Sequence, residues 1–252
     1  MKIAALQMDI AWEDPAANFE RLSPRLEAAR ADGAELIILP EMFACGFSMN
    51  TDTIAEREDG ATLTFLRERA SSLDCWIAGS MPIRMDPSQP RPTNSLFFCG
   101  PSGEERRYDK IHPFSYAGEH ERYQAGTTRL TFDIHGVRIT PFVCYDLRFA
   151  DEFWSRATET DCYIVVANWP QKRVHHWSAL LRARAIENLA WVVGVNRVGD
   201  GGGLHYSGES TIIDPTGEIV AFDSGNETTL FADVTAAKVS ATRDRFPFLQ
   251  DR

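Results

Sequence analysis

Short apolar runs recur along this chain: KIAALQM, LIILPE, CWIAGS, SLFFCG, ITPFVCYD, YIVVANWP, WVVGVNRVG and STIIDP. Many are rich in β-branched or aromatic residues and stop at polar or turn-forming positions, so they predict strands buried on one face or both. Between some of them the spacing becomes helical. In DPAANFERLSPRLEAARADG, Asp14 is placed to cap and Pro15 takes the first helical position. Phe19, Leu22, Leu26 and Ala29 then share a face, and Gly33 marks the stop. Pro24 lies inside this pattern and predicts a kink or local break. ATLTFLRERASSL repeats the spacing with Leu63, Leu66, Ala70 and Leu73. HHWSALLRARAIENLA does so with Trp177, Leu181, the apolar stem of Arg184 and Ile186.

Strands alternating with helices point to the α/β class. SLFFCG–PSGE–ERRYDK and STIIDPTGEIVAF read instead as hairpins with Gly-containing turns, so the sheet is expected to be mixed, not purely parallel. No Pro/Ser-rich linker, low-complexity tract or repeat interrupts the pattern, and residues 1–252 are read as one domain.

Composition narrows the partners. The formal charge of −10 argues against nucleic acid and anionic membrane, which both need a basic surface, but leaves room for a small anionic ligand held by a local arginine. The opening MKIAALQMDIAWED has too short an apolar stretch for a signal peptide, and no run reaches the length of a transmembrane helix. Five cysteines (Cys45, Cys75, Cys99, Cys144 and Cys162), odd in number and without CxxC spacing, fit reduced thiols in the cytoplasm. His112, His120, His175 and His176 have no convergent spacing, so neither a metal nor another cofactor is expected.

Candidate chemistry lies at the strand ends, where ligands of α/β folds bind. LIILPE delivers Glu41, FVCYD delivers Cys144, VVANWP delivers Asn168 and Trp169, and VVGVNR delivers Asn196. A carboxylate and a thiol presented on neighbouring strands make a base and a nucleophile, although a buried cysteine is more often inert. Lys110 closes another strand in RRYDKIHPF. Desolvated beside them, it would lower the thiol pKa and hold an oxyanion.

LPEMF, YDKIHPF and FVCYDLRF, in that order, resemble the nitrilase, or carbon–nitrogen hydrolase, superfamily. The likeness runs from KIAALQMDIAWEDPAANFER through ANWPQKRVHHWSALLRARAIENLAWVVGVNRVG to STIIDPTGEIV. It implies a four-layer αββα sandwich, usually built into dimers, with a Glu41–Lys110–Cys144 triad. Glu119 matches a second glutamate used by many members, with Glu121 as its rival. The implied chemistry is attack by Cys144 on an amide carbonyl, with Glu41 moving the proton. Lys110 and the backbone N–H of Tyr145 would hold the oxyanion, and a thioester would then be hydrolysed.

GFSMN, GEHERYQAG and NWPQKRVHHW look most like the bacterial ω-amidase-like branch. That likeness implies a 2-oxo dicarboxylic acid monoamide such as 2-oxoglutaramate as substrate. Arg173 or Arg148 would clamp the carboxylate, and Phe114, Tyr116 and Trp169 would form the walls. The alternatives are an N-carbamoyl or aliphatic amide hydrolase, a nitrilase, a non-catalytic binding module, and a redox-sensing thiol protein. A nitrilase fits less well, because CYDLRF departs from the CWE pattern of that branch. GDGGGLHYSGES lacks the Lys-Ser/Thr ending of a phosphate loop and reads as a mobile loop near the site.

Overall fold

A computed structural model gives the architecture over residues 1–85 and 88–251. In chain order it begins with β1 (Lys2–Gln7), α1 (Pro15–Ala31), β2 (Leu36–Ile38), α2 (Thr51–Ile54), α3 (Ala61–Leu73), β3 (Trp76–Ile83), β4 (Thr93–Cys99), β5 (Glu105–Asp109) and α4 (Glu119–Arg122). Then follow β6 (Phe132–Ile134), β7 (Val137–Val143), α5 (Ala150–Trp154), β8 (Cys162–Ala167), α6 (Val174–Asn188), β9 (Trp191–Asn196), β10 (Val198–Gly201), β11 (Leu204–Ile213), β12 (Ile219–Ser224), β13 (Thr228–Asp233) and α7 (Ala236–Arg245).

The strands form two sheets, ordered β13-β1-β2-β3-β4-β5 and β10-β11-β9-β8-β7-β6, with β12 added to β11. Both are mixed. Pairing is parallel across β1, β2 and β3 and across β7, β8 and β9, and antiparallel in the flanking pairs. The expected hairpins are β4–β5 and β11–β12.

Side-chain alternation stacks the layers. In β1, Ile3 and Ala5 join the core shared with the second sheet. Ala4 and Leu6 turn the other way, among Leu22 and Leu26 of α1 and Leu63 and Leu66 of α3. β8 and β9 are buried along their whole length, as parallel strands covered on both faces must be. On the far side α6 packs Trp177, Leu181 and Ala185 against them. It comes so close that a Cβ on Gly194 would meet Leu181 at 2.4 Å. The result is the expected αββα sandwich.

Three local expectations change. Asp14 caps α1, but the helix runs through Pro24 without a break. Pro24 and Glu20, whose carbonyl loses its partner, are both exposed, so water can take the missing bond. Ile186 is 49% exposed and does not share the buried face of Trp177 and Leu181. The glycine-rich segment is the antiparallel pair β10–β11, not an unstructured loop.

Gly79 in β3 lies under the buried ring of Phe43, two residues from Glu41, and a Cβ there would stand 2.7 Å from that ring. A rigid aromatic cannot yield cheaply. Gly79→Ala is expected to lose about 1–3 kcal/mol, read as a lower midpoint in thermal unfolding.

Candidate active site

Four strand ends meet where the two sheets face each other. β2 leads through Leu39 and Pro40 to Glu41, and β5 leads directly to Lys110. In the other sheet β7 ends at Cys144 and β8 at Asn168. Glu41, Lys110 and Glu119 are all at most 1% exposed.

Lys110 Nζ lies 3.1 Å from Glu41 Oε1 and 3.0 and 2.8 Å from the two oxygens of Glu119. Asn94 Nδ2 also donates to Glu41 Oε1, at 2.8 Å, and the backbone N–H of Asn168 donates to Oε2 at 2.8 Å. Glu119 further accepts from the backbone N–H of Phe114. Glu121, by contrast, is exposed, so the glutamate that meets Lys110 is Glu119.

One cation between two carboxylates fixes the electrostatics. Burial alone would lower the Lys110 pKa, yet the charges of Glu119 and Glu41 outweigh it and push it above the ordinary lysine range. Burial raises the Glu119 pKa, against the opposing pull of Lys110. The Cys144 thiol is pushed well above the usual range, first by burial and then by the Glu41 carboxylate, with Lys110 opposing. This direction favours the protonated thiol at rest and runs against the low-pKa thiolate that the redox-sensing alternative calls for.

Cys144 has a φ of 49°, in the left-handed region, and opens a single 3₁₀ turn, Cys144–Arg148. For a residue with a Cβ this costs about 1–3 kcal/mol, and it turns the chain sharply so that sulfur leaves the sheet. Tyr145 is the second residue of the turn, where a backbone N–H has no acceptor within the turn. Sulfur and the Tyr145 backbone N–H thus stand in consecutive residues of the turn.

Cys144 opens into a cavity whose wall includes Tyr145, Phe114, Asn168, Trp169, Arg148 and Arg173. Both rival arginines are there. The Arg148 guanidinium lies over the Trp169 ring, 4.9 Å from its centroid, with Nη2 3.0 Å from His176 Nδ1. Arg173 lies over Phe114 at 5.3 Å. Among the described residues neither is paired with a carboxylate. Tyr116 stands apart: it is 86% exposed on the turn Ser115–Ala117 and lies outside the cavity wall.

The sequence reading missed several members. Asn94 holds Glu41 from inside β4, and its signal is an amide in an otherwise apolar strand. Asn168 was visible as a strand end but carried no role; its Nδ2 donates to the Glu41 carbonyl, which leaves Oδ1 buried without a protein partner. Trp12, Leu204 and Tyr206 reach the cavity from segments distant in the chain, which no local pattern reveals.

Residues 2–244 match the Carbon-nitrogen hydrolase family. The chain belongs to this family. Omega-amidase YafV of Escherichia coli (strain K12) is 40% identical over 100% of this chain and 96% of its own length. A 2-oxoglutaramate amidase of Bacillus subtilis (strain 168) is 29% identical over 99% and 96%. Among solved structures, a CN-hydrolase superfamily protein of Xanthomonas campestris with an arsenic adduct in its active site superposes with a TM-score of 0.94. It is 39% identical, and the match covers 100% of this chain and 97% of that one.

Two substitutions separate the glutamates of this carbon–nitrogen hydrolase. Glu119→Gln removes half of the negative charge facing Lys110 and is expected to cut amide hydrolysis at least about tenfold. Glu121→Gln, on the surface, is expected to leave activity intact and shift stability by no more than about 0.5 kcal/mol. Ammonia release and thermal unfolding of both variants check this.

Proposed function

We propose that this protein is a cysteine-dependent ω-amidase that hydrolyses the side-chain amide of 2-oxoglutaramate or a similar 2-oxo dicarboxylic acid monoamide. The observation that carries this reading is the cavity itself. At one place its wall carries the Cys144 thiol, with Glu41 and Lys110 buried behind it, and elsewhere it carries two arginines that no carboxylate among the described residues neutralises. A substrate with an amide at one end and a carboxylate at the other suits both. The similarity to YafV and to the Bacillus amidase supports the same assignment.

Glu41 takes the thiol proton as Cys144 attacks the amide carbon. The C–S bond forms, and the carbonyl electrons move to oxygen. The oxyanion is held by the Tyr145 N–H and by Lys110, which exchanges one of its two contacts with Glu119 for the new one. Each such donor contributes about 3–4 kcal/mol. Glu41 returns the proton to nitrogen, the C–N bond breaks and ammonia leaves. Water then gives its proton to Glu41 and attacks the thioester, releasing the acid and restoring the thiol. Glu119 acts by orienting Lys110. Asn168 acts by holding Glu41, through its backbone N–H and its Nδ2. Arg173 and Arg148 bind the carboxylate, and Phe114 and Trp169 flank the carbon chain.

The whole chain, 1–252, is read as one catalytic unit that works in the cytoplasm as a homodimer or larger homo-oligomer. Five free cysteines support a reducing compartment, and among the described residues no helix is long and apolar enough to cross a membrane. Half-exposed Trp154 on α5 and Ile186 on α6, two helices packed together, support a subunit contact.

Ammonia release over a panel of 2-oxoglutaramate, glutamine, asparagine, an aliphatic amide, an N-carbamoyl amino acid and a nitrile tests the assignment. Turnover is expected with 2-oxoglutaramate and is expected to fall at least about 10³-fold in Cys144→Ala. Preference for another panel member would replace the substrate and leave the chemistry. Arg173→Ala and Arg148→Ala are expected to raise KM about tenfold or more, in line with the loss of a charged hydrogen bond.

A further inference from the structure

One buried carboxylate outside the residues given roles above joins the two halves of the site. Asp146 is fully buried and accepts from four donors. Its Oδ2 receives the Tyr108 hydroxyl at 2.9 Å and the Val143 backbone N–H at 3.0 Å. Its Oδ1 receives the His112 backbone N–H at 2.9 Å and lies 3.0 Å from His112 Nδ1. Tyr108 and His112 stand two positions before and two positions after Lys110, and Val143 immediately precedes Cys144.

We propose that Asp146 is a positioning residue that sets the Lys110 segment of one sheet in register with the Cys144 turn of the other. The inference rests on the Glu41–Lys110–Cys144 reading for its consequence in catalysis. Capping the turn alone would need only the bond to Val143. The other three donors come from the lysine segment, so the carboxylate bridges two pieces of backbone that approach only through the fold.

Further contacts hold the His112 end of the bridge. The His112 ring stacks on Phe149, with centroids 3.5 Å apart, and its Nε2 lies 4.0 Å from Glu152 Oε1. Glu152 is in turn gripped by Arg129 through contacts of 2.6 and 2.8 Å. Burial and the nearby Asp146 charge push the Tyr108 pKa well up, so its hydroxyl remains a donor. A bridge of this kind matters because the placement of an oxyanion donor is steep in distance: a misplacement of about 1 Å costs on the order of 10²-fold in rate. It also matters to the thiol, on which Lys110 exerts the one downward pull among Glu41, Glu119 and itself.

The test uses the full chain with Asp146→Asn and Tyr108→Phe. It measures kcat and KM for 2-oxoglutaramate, the pH profile of Cys144 alkylation by iodoacetamide (followed on the Cys144 peptide by mass spectrometry), and thermal unfolding. Asp146→Asn is expected to lower kcat about 10²-fold with KM within about threefold, and to move the alkylation profile to higher pH. Tyr108→Phe removes a single hydroxyl and is expected to move both readouts the same way by a smaller factor, about tenfold in kcat. It carries the test if Asp146→Asn does not fold. Folded variants with wild-type kcat and an unmoved alkylation profile would overturn the proposal. A lowered melting temperature with unchanged kcat would do the same, since that marks a purely structural bond. The underlying reading is checked separately by wild-type turnover and its loss in Cys144→Ala. Were that to fail, the alkylation profile would still report whether Asp146 governs Lys110 at the thiol.

Discussion

The site is organised by a single buried ammonium placed between two buried carboxylates. Lys110 meets Glu41 and Glu119 where none of the three is more than 1% exposed. Such a cluster survives only if every oxygen is also hydrogen-bonded, because desolvation otherwise exceeds the mutual attraction. The donors are Asn94, the Asn168 N–H and the Phe114 N–H, drawn from three separate segments. The cluster also dictates how the thiol behaves. Formally it carries one net negative charge, so losing the Cys144 proton to solvent would add a second in a dry place. Passing that proton to Glu41 leaves the total unchanged. A neutral resting thiol beside the Glu41 carboxylate is therefore the state this geometry favours, and in the proposed reaction nucleophilic sulfur appears together with protonated Glu41.

The fold is the means of bringing such groups together without exposing them. Glu41 and Lys110 leave one sheet, Cys144 and Asn168 leave the other, and the cluster they form is buried. Local devices then fix each piece. The left-handed Cys144 is strained, and the turn it starts is held by Asp146 at its beginning and by Arg184, whose Nη2 donates to Leu147 O at 2.8 Å, near its end. Arg184 reaches there from α6, which packs closely over Gly194. A helix of the outer layer thereby reaches the turn that Cys144 opens.

Much of this was legible along the chain. Strand ends are local features, so Glu41, Lys110, Cys144 and Asn168 could be read from where apolar runs stop. Period-two and helical spacing also separated the layers well enough to reach the α/β class. The choice between Glu119 and Glu121 was not local: two residues apart on one short helix, they differ only in which side of it Lys110 occupies. The exposure of Tyr116 was not local either, since an aromatic beside a site looks alike whether it turns inward or outward. Asp146 and Asn94 were overlooked because their partners are remote, and a polar residue in an apolar strand announces that it is satisfied without saying by what.

The charge distribution raises a last question, because the chain is acidic and the proposed substrate is an anion. The formal net charge of −10 is a sum over the whole chain. At physiological ionic strength its reach is limited to about 8 Å by screening. A guanidinium at about 4 Å from a carboxylate, in surroundings with an effective dielectric constant near 20, contributes about 4 kcal/mol, roughly four times its value in bulk water. Arg148 and Arg173 sit over aromatic rings, Arg148 also meeting His176, and among the described residues no acidic side chain pairs with either. At contact distance the local pair outweighs the global field. The acidic exterior slows the approach of an anionic amide without weakening its hold once it is inside.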